Sequence, residues 1–314
     1  MNYIGIDVGG TGIKGALVDE NGALVREYAL PTPAGDAVAV ADTIAAVIEA
    51  LCAEGDRAAI GALGIGCPGT VDDESGTVLF AGNLPWQNYP LREEIRVRTG
   101  FSARLCNDAN AAALAEALIG AGRGSDGFVA VTLGTGVGGG VVVHGKLLTG
   151  WTGAASEMGH MVIRKDGEPC TCGRRGCFEA YASATALIRD TKRAMERDPK
   201  SLLHTLAAEN GGVDGTTAFL AKERGDRTAC AVVENYIDAL ACGLANIINI
   251  FFPETVALSG GIANQGETLL APLRKRVEAL TFASAYAKRH TKLVGCSLGY
   301  RAGMIGAALF AKEN

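Results

Sequence analysis

The hydrophobic pattern at the start of the chain alternates between short apolar runs and Gly-rich turns. An apolar run covers residues 3–8 and a Gly turn residues 9–12; a second run follows at 13–18, before an Asn-Gly pair at 21–22. Short apolar runs joined by such turns are typical of antiparallel strands. We therefore predict a three-stranded meander at this end of the chain.

The same pattern returns at residues 128–148, where an apolar run, a Gly turn, a second run and a His-Gly turn follow in the same order. Gly134 then corresponds to Gly9, and Thr132 to Asp7. Repetition of a supersecondary unit indicates internal duplication. We therefore predict two duplicated domains whose Gly turns face one interdomain cleft.

Between and after the two copies, strand patterns alternate with helical ones, which indicates an α/β fold. Predicted helices cover residues 36–53, 109–119, 184–197, 228–249 and 302–312, and predicted strands cover 59–65, 102–105 and 255–258. We place a smaller N-terminal domain at residues 1–118 and a larger one at 119–301. The last helix, at about 302–314, is predicted to return to the first domain.

Composition narrows the classes of function. The 314 residues are 48% hydrophobic and 20% charged, with a net charge of −5 and no block of Lys or Arg. A chain of this kind can bury a large core, and it lacks the basic surface that nucleic acids and anionic membranes attract. No basic region precedes the first apolar run, and no apolar run reaches about 18 residues. We expect a cytoplasmic protein with a small polar substrate.

The first Gly turn is a candidate phosphate site. Asp7 lies near the end of an apolar strand, and Gly9, Gly10 and Thr11 follow it, with Lys14 shortly after. Backbone N–H groups in such a turn can converge on an anion, while the carboxylate can hold Mg²⁺ through water. The alternative is an ordinary hairpin with a polar turn. An Asp on an apolar strand needs a partner, which supports the phosphate interpretation, but this stretch alone leaves both interpretations open.

The second Gly turn contains a G-x-G-x-x-G pattern, but the residues after it read as a strand at 141–143. A dinucleotide fingerprint requires a helix there, and a P-loop would also require a Ser or Thr after Lys146, where Leu147 stands. A second turn that clamps phosphate remains, and Gly-Gly after a later strand is a third candidate. The residues predicted to contact the nucleotide here are Gly134, Thr135, Gly136, Gly138, Gly260 and Gly261.

Asp108 lies between a predicted strand and an Ala-rich helix. Asp is favoured at helix N-caps, so capping is one interpretation. The end of a strand at a domain boundary is also a suitable place for a general base that takes the proton of an attacking hydroxyl. The position alone leaves both roles open.

Three thiols and one imidazole are crowded into a short segment that contains His160, Cys170, Cys172 and Cys177. Four such ligands suit tetrahedral Zn²⁺, and a site closed by four protein ligands is structural. The alternative, three reduced surface thiols, is less favoured because exposed cysteines are rare. Glu157 and Glu179 flank this segment and could accept hydrogen bonds from vicinal hydroxyls, which a sugar offers.

Six segments of the chain, in their order and spacing, resemble the ROK family of sugar kinases and repressors. Within that family the resemblance is strongest to the bacterial glucokinases. The six segments are residues 7–11, 64–69, 107–112, 133–140, 157–160 and 170–179. The resemblance implies an actin-like (ribonuclease H-like) ATPase fold and transfer of phosphate from ATP, with Mg²⁺, to the 6-hydroxyl of a hexose, with glucose preferred. It also implies a homodimer or homotetramer.

By the same resemblance, each candidate residue receives a role. Asp108 is the catalytic base, and structural zinc is held by His160, Cys170, Cys172 and Cys177. The sugar contacts are Asn83, Asn107, Asp108, Glu157, His160 and Glu179.

Ser156 stands where the family usually has Gly, next to a predicted sugar contact. Kinases of N-acetylglucosamine and N-acetylmannosamine share most of these residues and are therefore alternatives. A sugar-responsive repressor is a rival from another class, but the first strand begins so early that we expect no DNA-binding domain before it. An actin-like filament protein would leave the metal segment without a role.

Overall fold

The computed structural model describes residues 1–52, 57–82, 84–282 and 286–313, and these form an α/β protein. The strands are β1 (Asn2–Val8), β2 (Gly12–Val18), β3 (Leu24–Pro31), β4 (Ile60–Cys67), β5 (Thr70–Asp72), β6 (Thr77–Phe80), β7 (Gln87–Tyr89), β8 (Ala103–Asn107), β9 (Gly127–Leu133), β10 (Val137–Val143), β11 (Lys146–Leu147), β12 (Thr255–Ser259) and β13 (Lys292–Gly295). The helices are α1 (Ala37–Cys52), α2 (Leu91–Thr99), α3 (Asp108–Leu118), α4 (Glu179–Ala182), α5 (Ala184–Arg197), α6 (Leu203–Glu209), α7 (Thr217–Glu223), α8 (Arg227–Phe251), α9 (Glu267–Leu280) and α10 (Ala302–Lys312).

Two five-stranded sheets repeat one topology. The first has the order β3-β2-β1-β4-β8, in which β1 is antiparallel to β2 and parallel to β4. The second has the order β11-β10-β9-β12-β13, so the third, second, first, fourth and fifth strands again lie side by side. The predicted duplication and α/β class are confirmed. A small antiparallel sheet, β5-β6-β7, was not predicted from the sequence.

The chain forms two compact units. Unit 1 comprises residues 1–130, 140–156 and 296–314, and unit 2 comprises residues 131–139 and 157–295. Strands β9 and β10 each contribute residues to both. The domain boundary that the sequence predicts after residue 118 stays a prediction, because compact units need not coincide with domains that fold independently.

Helix α10 packs very closely on the first sheet, through glycines on the strands. A Cβ atom added to Gly5 of β1 would lie 1.8 Å from the carbonyl oxygen of Met304, and one on Gly64 of β4 would lie 1.9 Å from that of Ala307. Side chains larger than hydrogen are therefore excluded at both sheet positions. On the helix, Gly303 faces the Asp7 carboxylate, with an added Cβ only 2.8 Å from its Cγ.

Helix α8 is long and apolar enough to cross a membrane by length and composition alone. However, 61% of its apolar window is buried inside the protein. Phe178 packs against Gly243 of this helix, where an added Cβ would lie 2.3 Å from the ring. These contacts show that α8 is a core helix of unit 2.

A buried carboxylate ties α3 to the segment that leads into α10. Glu116 is 1% exposed, and its Oε1 accepts the N–H groups of Ser297 at 2.8 Å and Leu298 at 2.7 Å. Its Oε2 accepts the N–H of Ala121 at 2.9 Å. No other residue type places two acceptor atoms at this distance from the helix, so this position requires Glu.

Replacing Glu116 by Ala is expected to lower the free energy of unfolding by about 3 kcal/mol, because three N–H groups lose a charged acceptor in a buried place. Urea denaturation followed by circular dichroism measures the change. Glu116→Gln, which keeps one acceptor oxygen, should lose less than half as much. Equal unfolding midpoints for wild type and Glu116→Ala would contradict the role of this residue.

Candidate active site

The first Gly turn joins β1 to β2 as predicted, and it brings five candidate residues together. Asp7 lies opposite Lys14 in the β1–β2 register. The N–H of Gly9 donates to the carbonyl of Gly12 at 3.0 Å, and the Thr32 hydroxyl donates to the carbonyl of Gly9 at 2.6 Å. The Lys14 ammonium lies 5.6 Å from the centre of the Tyr300 ring. A tied turn with a carboxylate and an ammonium beside it suits a phosphate and a divalent cation.

Two partly buried carboxylates, those of Asp7 and Asp108, lie close enough in unit 1 to influence each other electrostatically. Burial raises the pKa of Asp7 to about 6, and the negative charge of Asp108 adds to the rise while Lys14 opposes it. Burial also raises the pKa of Asp108. Carboxylates that share a site in this way are costly without a cation or proton between them. The donor set therefore fits Mg²⁺, and the raised pKa of Asp108 fits a group that accepts a proton.

The structure separates the two roles that the sequence left open at the start of α3. The N-cap is Asn107, whose Oδ1 accepts the N–H groups of Ala109 at 3.0 Å and Asn110 at 3.1 Å. Asp108 is the first residue of the helix, and its Oδ1 accepts only the N–H of Ala109, at 2.8 Å. Asn107 therefore caps the N-terminus of α3, and the cap does not need the carboxylate of Asp108.

Asn107 is also committed on its other side, because its Nδ2 donates to the carbonyl of Gly69 at 3.0 Å. One N–H of the Asn107 amide therefore remains for a ligand. The predicted sugar contact of Asn107 stays a prediction, and in it this residue would act as a hydrogen-bond donor. The other predicted sugar contact on this side of the chain, Asn83, lies outside the described residues.

The second Gly turn is shorter than the sequence suggested. Strand β10 begins at Val137, four residues before the predicted start, so Gly138 lies within a strand. The glycines of β10 allow the strand to lie close to α3. At Gly140 an added Cβ would lie only 2.5 Å from the Cβ of Ala113. The nucleotide contacts predicted for this turn and for Gly138 stay predictions.

Gly260, from the third candidate loop, lies against the residue before the second turn. Its φ is +88°, and an added Cβ would lie 2.4 Å from the carbonyl oxygen of Leu133. Only glycine meets both demands. Unit 2 therefore places Gly260 against Leu133, the residue before Gly134, and the nucleotide contacts predicted for Gly260 and Gly261 stay predictions.

Glu179, Glu157 and His160 also lie around the second turn in unit 2. The Glu179 Oε2 accepts the N–H of Val137 at 3.1 Å. Glu157 precedes a single 3-10 turn, Met158–His160, in which an added Cβ on Gly159 would lie 2.0 Å from the carbonyl oxygen of Val137. The E-x-G-H pattern thus needs its glycine to approach the strand. Ser156, just before it, has a φ of +69°, which explains why glycine is usual at this position.

The four predicted metal ligands converge. The donor atoms of His160, Cys170, Cys172 and Cys177 all lie within 4.8 Å of one another. The Cys172 and Cys177 sulfurs are 3.6 Å apart, and the Cys170 sulfur is 3.7 Å from Nδ1 of His160. A tetrahedral zinc site with bonds of about 2.0–2.3 Å has ligand edges of about 3.3–3.8 Å, so these distances fit zinc.

The chemistry of residues 160–177, here called the metal loop, also fits a zinc site. Hydrogen bonds from the backbone and guanidinium of Arg174 lower the pKa of Cys172 to about 6, whereas burial raises the pKa of Cys170 and of Cys177, so Cys172 is the thiol that most readily forms the thiolate that binds zinc. Gly173 and Gly176 have φ values of +82° and +79°, so both glycines are needed for the turns. The sequence prediction of a closed, four-ligand cluster is consistent with this geometry.

The raised pKa of Asp7 carries a prediction about stability. The folded-state pKa of about 6 exceeds the ordinary 3.8, so the native state binds this proton more tightly than the unfolded state. Stability from the protonated carboxyl is complete below pH 3.8 and is lost as the pH rises through 6. Asp7→Asn should therefore raise the free energy of unfolding at pH 7.5 by up to about 3 kcal/mol, and by almost nothing at pH 4.

Urea unfolding at the two pH values, without Mg²⁺ or nucleotide, measures this difference. Asp19→Asn is the matched control, because the N–H groups of Ala23 and Asn21 lower the pKa of Asp19. That substitution should destabilise the protein at pH 7.5. An Asp7→Asn variant that is less stable than wild type at pH 7.5 would show that the carboxylate is compensated in the folded protein.

Comparison with known proteins gives four informative matches. A model of the ROK family matches residues 3–314. The glucokinase of Thermotoga maritima is 41% identical over 318 residues, which cover 100% of this chain and 98% of that enzyme. The structure of a ROK family glucokinase from Streptomyces griseus in complex with glucose and AMPPNP is 35% identical, with a TM-score of 0.83 and 100% of both chains covered. The xylose repressor of Caldicellulosiruptor bescii is 34% identical over 71% of this chain and 56% of its own length.

Proposed function

The chain belongs to the ROK family, and we propose that it transfers the γ-phosphoryl group of ATP to the 6-hydroxyl of glucose. It is an ATP-dependent hexose kinase with an actin-like ATPase fold, as the sequence resemblance predicted. The observation that carries the proposal is the pair of partly buried carboxylates with raised pKa values, Asp7 and Asp108, beside the first Gly turn. A protein that only bound sugar would have no use for this costly pair.

Asp108 is proposed as the general base. The 6-hydroxyl oxygen forms a bond to the γ-phosphorus, the bond from that phosphorus to the bridging oxygen of ADP breaks, and the hydroxyl proton passes to Asp108. A carboxylate whose pKa is raised by burial is a better proton acceptor than an exposed one. Mg²⁺, held near Asp7, would supply positive charge to offset the phosphate oxygens.

We further propose that Glu157, His160 and Glu179 hold the sugar hydroxyls, with Asn83 and Asn107 as additional contacts. Zinc on His160 and the three cysteines would hold the loop in shape and fix the imidazole by one nitrogen. The contact of Glu179 with Val137 supports this assignment, because it aims the carboxylate while leaving lone pairs free. By its resemblance to cytoplasmic sugar kinases, the protein is proposed to act in the cytoplasm as a homodimer or homotetramer.

The test is ADP formation by the purified protein with Mg-ATP against glucose, mannose, N-acetylglucosamine and N-acetylmannosamine. Glucose should give the largest kcat/KM. A larger value for an N-acetylated sugar would keep the reaction and replace the substrate. Sugar binding without turnover would instead favour a regulator, as the partial similarity to a xylose repressor allows.

A further inference from the structure

Thr171 stands between two of the metal ligands, and its side chain turns to Glu179. The Thr171 hydroxyl donates to Oε1 of Glu179 at 2.8 Å. The thiol of Cys170 lies 3.5 Å from the same oxygen. Thus one oxygen of a proposed sugar contact is held from the metal loop.

The other oxygen of Glu179 is held from the second Gly turn. Oε2 accepts the N–H of Val137 at 3.1 Å, and an added Cβ on Gly136 would lie only 2.3 Å from it. A carboxylate bonded at both oxygens has little freedom to rotate. The contact would not survive a side chain at residue 136.

The segment that follows Glu179 continues to hold the same turn. The N–H of Ala184 donates to the carbonyl of Gly134 at 2.8 Å, and the hydroxyl of Thr185 donates to that of Thr135 at 2.7 Å. The Glu179 contact is made from the first residue of α4, and the other two bonds are made from the first two residues of α5. The metal loop, the Glu179 carboxylate and the second Gly turn therefore form one hydrogen-bonded series in unit 2.

We propose that Thr171 is a positioning residue, which fixes the carboxylate of Glu179 in the orientation that binds the sugar. The proposal rests on the function proposed above, in which Glu179 contacts glucose. Thr171 is suited to this task because its β-branched side chain has a restricted χ1 angle, which aims the hydroxyl. Without that donor, Oε1 of Glu179 keeps only the long contact with the Cys170 sulfur, and the carboxylate can rotate about the bond between Oε2 and the N–H of Val137.

Thr171→Val tests the proposal because it removes the hydroxyl and keeps the shape. The Kd for glucose without nucleotide, measured by calorimetry, should rise about 3- to 10-fold, as the net loss of one ordinary, solvent-exposed hydrogen bond implies. The KM for glucose should rise equally while kcat stays within about twofold, because the bond acts on binding. The zinc content by mass spectrometry should not change.

Two further variants separate positioning from a structural effect. Thr171→Ser restores the hydroxyl and should restore most of the affinity. Thr228→Val is the matched control: the Thr228 hydroxyl also donates to a carboxylate, that of Asp198, at 2.6 Å. Asp198 follows the far end of α5, which has 14 residues and is therefore about 21 Å long, so this variant should bind glucose like wild type.

Four results would overturn the proposal. Unchanged glucose affinity in Thr171→Val shows that Glu179 needs no such donor. Zinc loss in Thr171→Val, or an equal loss of affinity in Thr171→Ser, shows that the residue only shapes the loop. If wild type neither binds nor phosphorylates glucose, the proposed function fails and the inference fails with it; an active wild type with a normal Thr171→Val variant refutes the inference alone.

Discussion

Asp108→Asn is expected to lower kcat for glucose phosphorylation by about 10²- to 10⁴-fold, the range found when a general base is lost. The amide cannot accept the proton of the 6-hydroxyl, so the transition state loses its acceptor. The change should act on chemistry and not on folding, because Asn107 provides the N-cap of α3. Steady-state ADP formation gives kcat, and calorimetry gives the glucose Kd, which should stay within about threefold of wild type.

The pH profile provides an independent check on Asp108. Burial raises the pKa of this carboxyl, so wild-type kcat/KM should fall as the pH drops and the base becomes protonated. The fall should disappear in Asp108→Asn. Asp126→Asn, which changes an exposed aspartate of unit 1, should behave as wild type throughout. A kcat for Asp108→Asn within tenfold of wild type would exclude the general-base role.

Cys177→Ser should have the second largest effect, namely loss of bound zinc and a fall in kcat/KM for glucose of more than about 100-fold. Structural zinc supplies about 10–16 kcal/mol of binding free energy to small zinc domains, so losing one ligand can release the loop. Cys177 is fully buried and pairs with Val162 across the loop. His160 and Glu179 would lose their orientation with it.

Zinc content measured by mass spectrometry, together with glucose titration, checks this prediction. Cys230→Ser is the matched control, because Cys230 is a free cysteine of α8 outside the metal cluster and should leave zinc and activity unchanged. Prolonged exposure of wild type to a strong chelator should reproduce the Cys177→Ser result. Retention of zinc and full activity by Cys177→Ser would mean that three ligands suffice.

Local sequence patterns were sufficient for several elements of this fold. Helices α5 and α10 lie where the apolar periodicity placed them, within two residues at either end. The metal cluster was predictable because ligand type and spacing are read directly along one short segment. The resemblance to the ROK family then supplied the fold that joins these elements, and the family matches residues 3–314.

Features that depend on distant residues could not be predicted in this way. The pairing of Asp7 with Asp108 arises only when β1 and β8 join one sheet around β4. The start of β10 at Val137 was missed because glycines are poor strand formers, and here they are tolerated by close packing on α3. Helix α9 was missed for a similar reason, since Pro272 lies inside it.

The close packing of α10 on Gly5 and Gly64 has a consequence for the order in which the protein is made. Strands β1 and β4 of unit 1 precede residues 157–295 of unit 2 along the chain, yet the helix that covers them is translated only after those residues. While the ribosome is still adding those residues, the sheet face around Asp7 is uncovered. The unit that carries Asp7 and Asp108 is therefore completed only after the other unit has been made, and during that interval its uncovered apolar sheet face is open to chaperones.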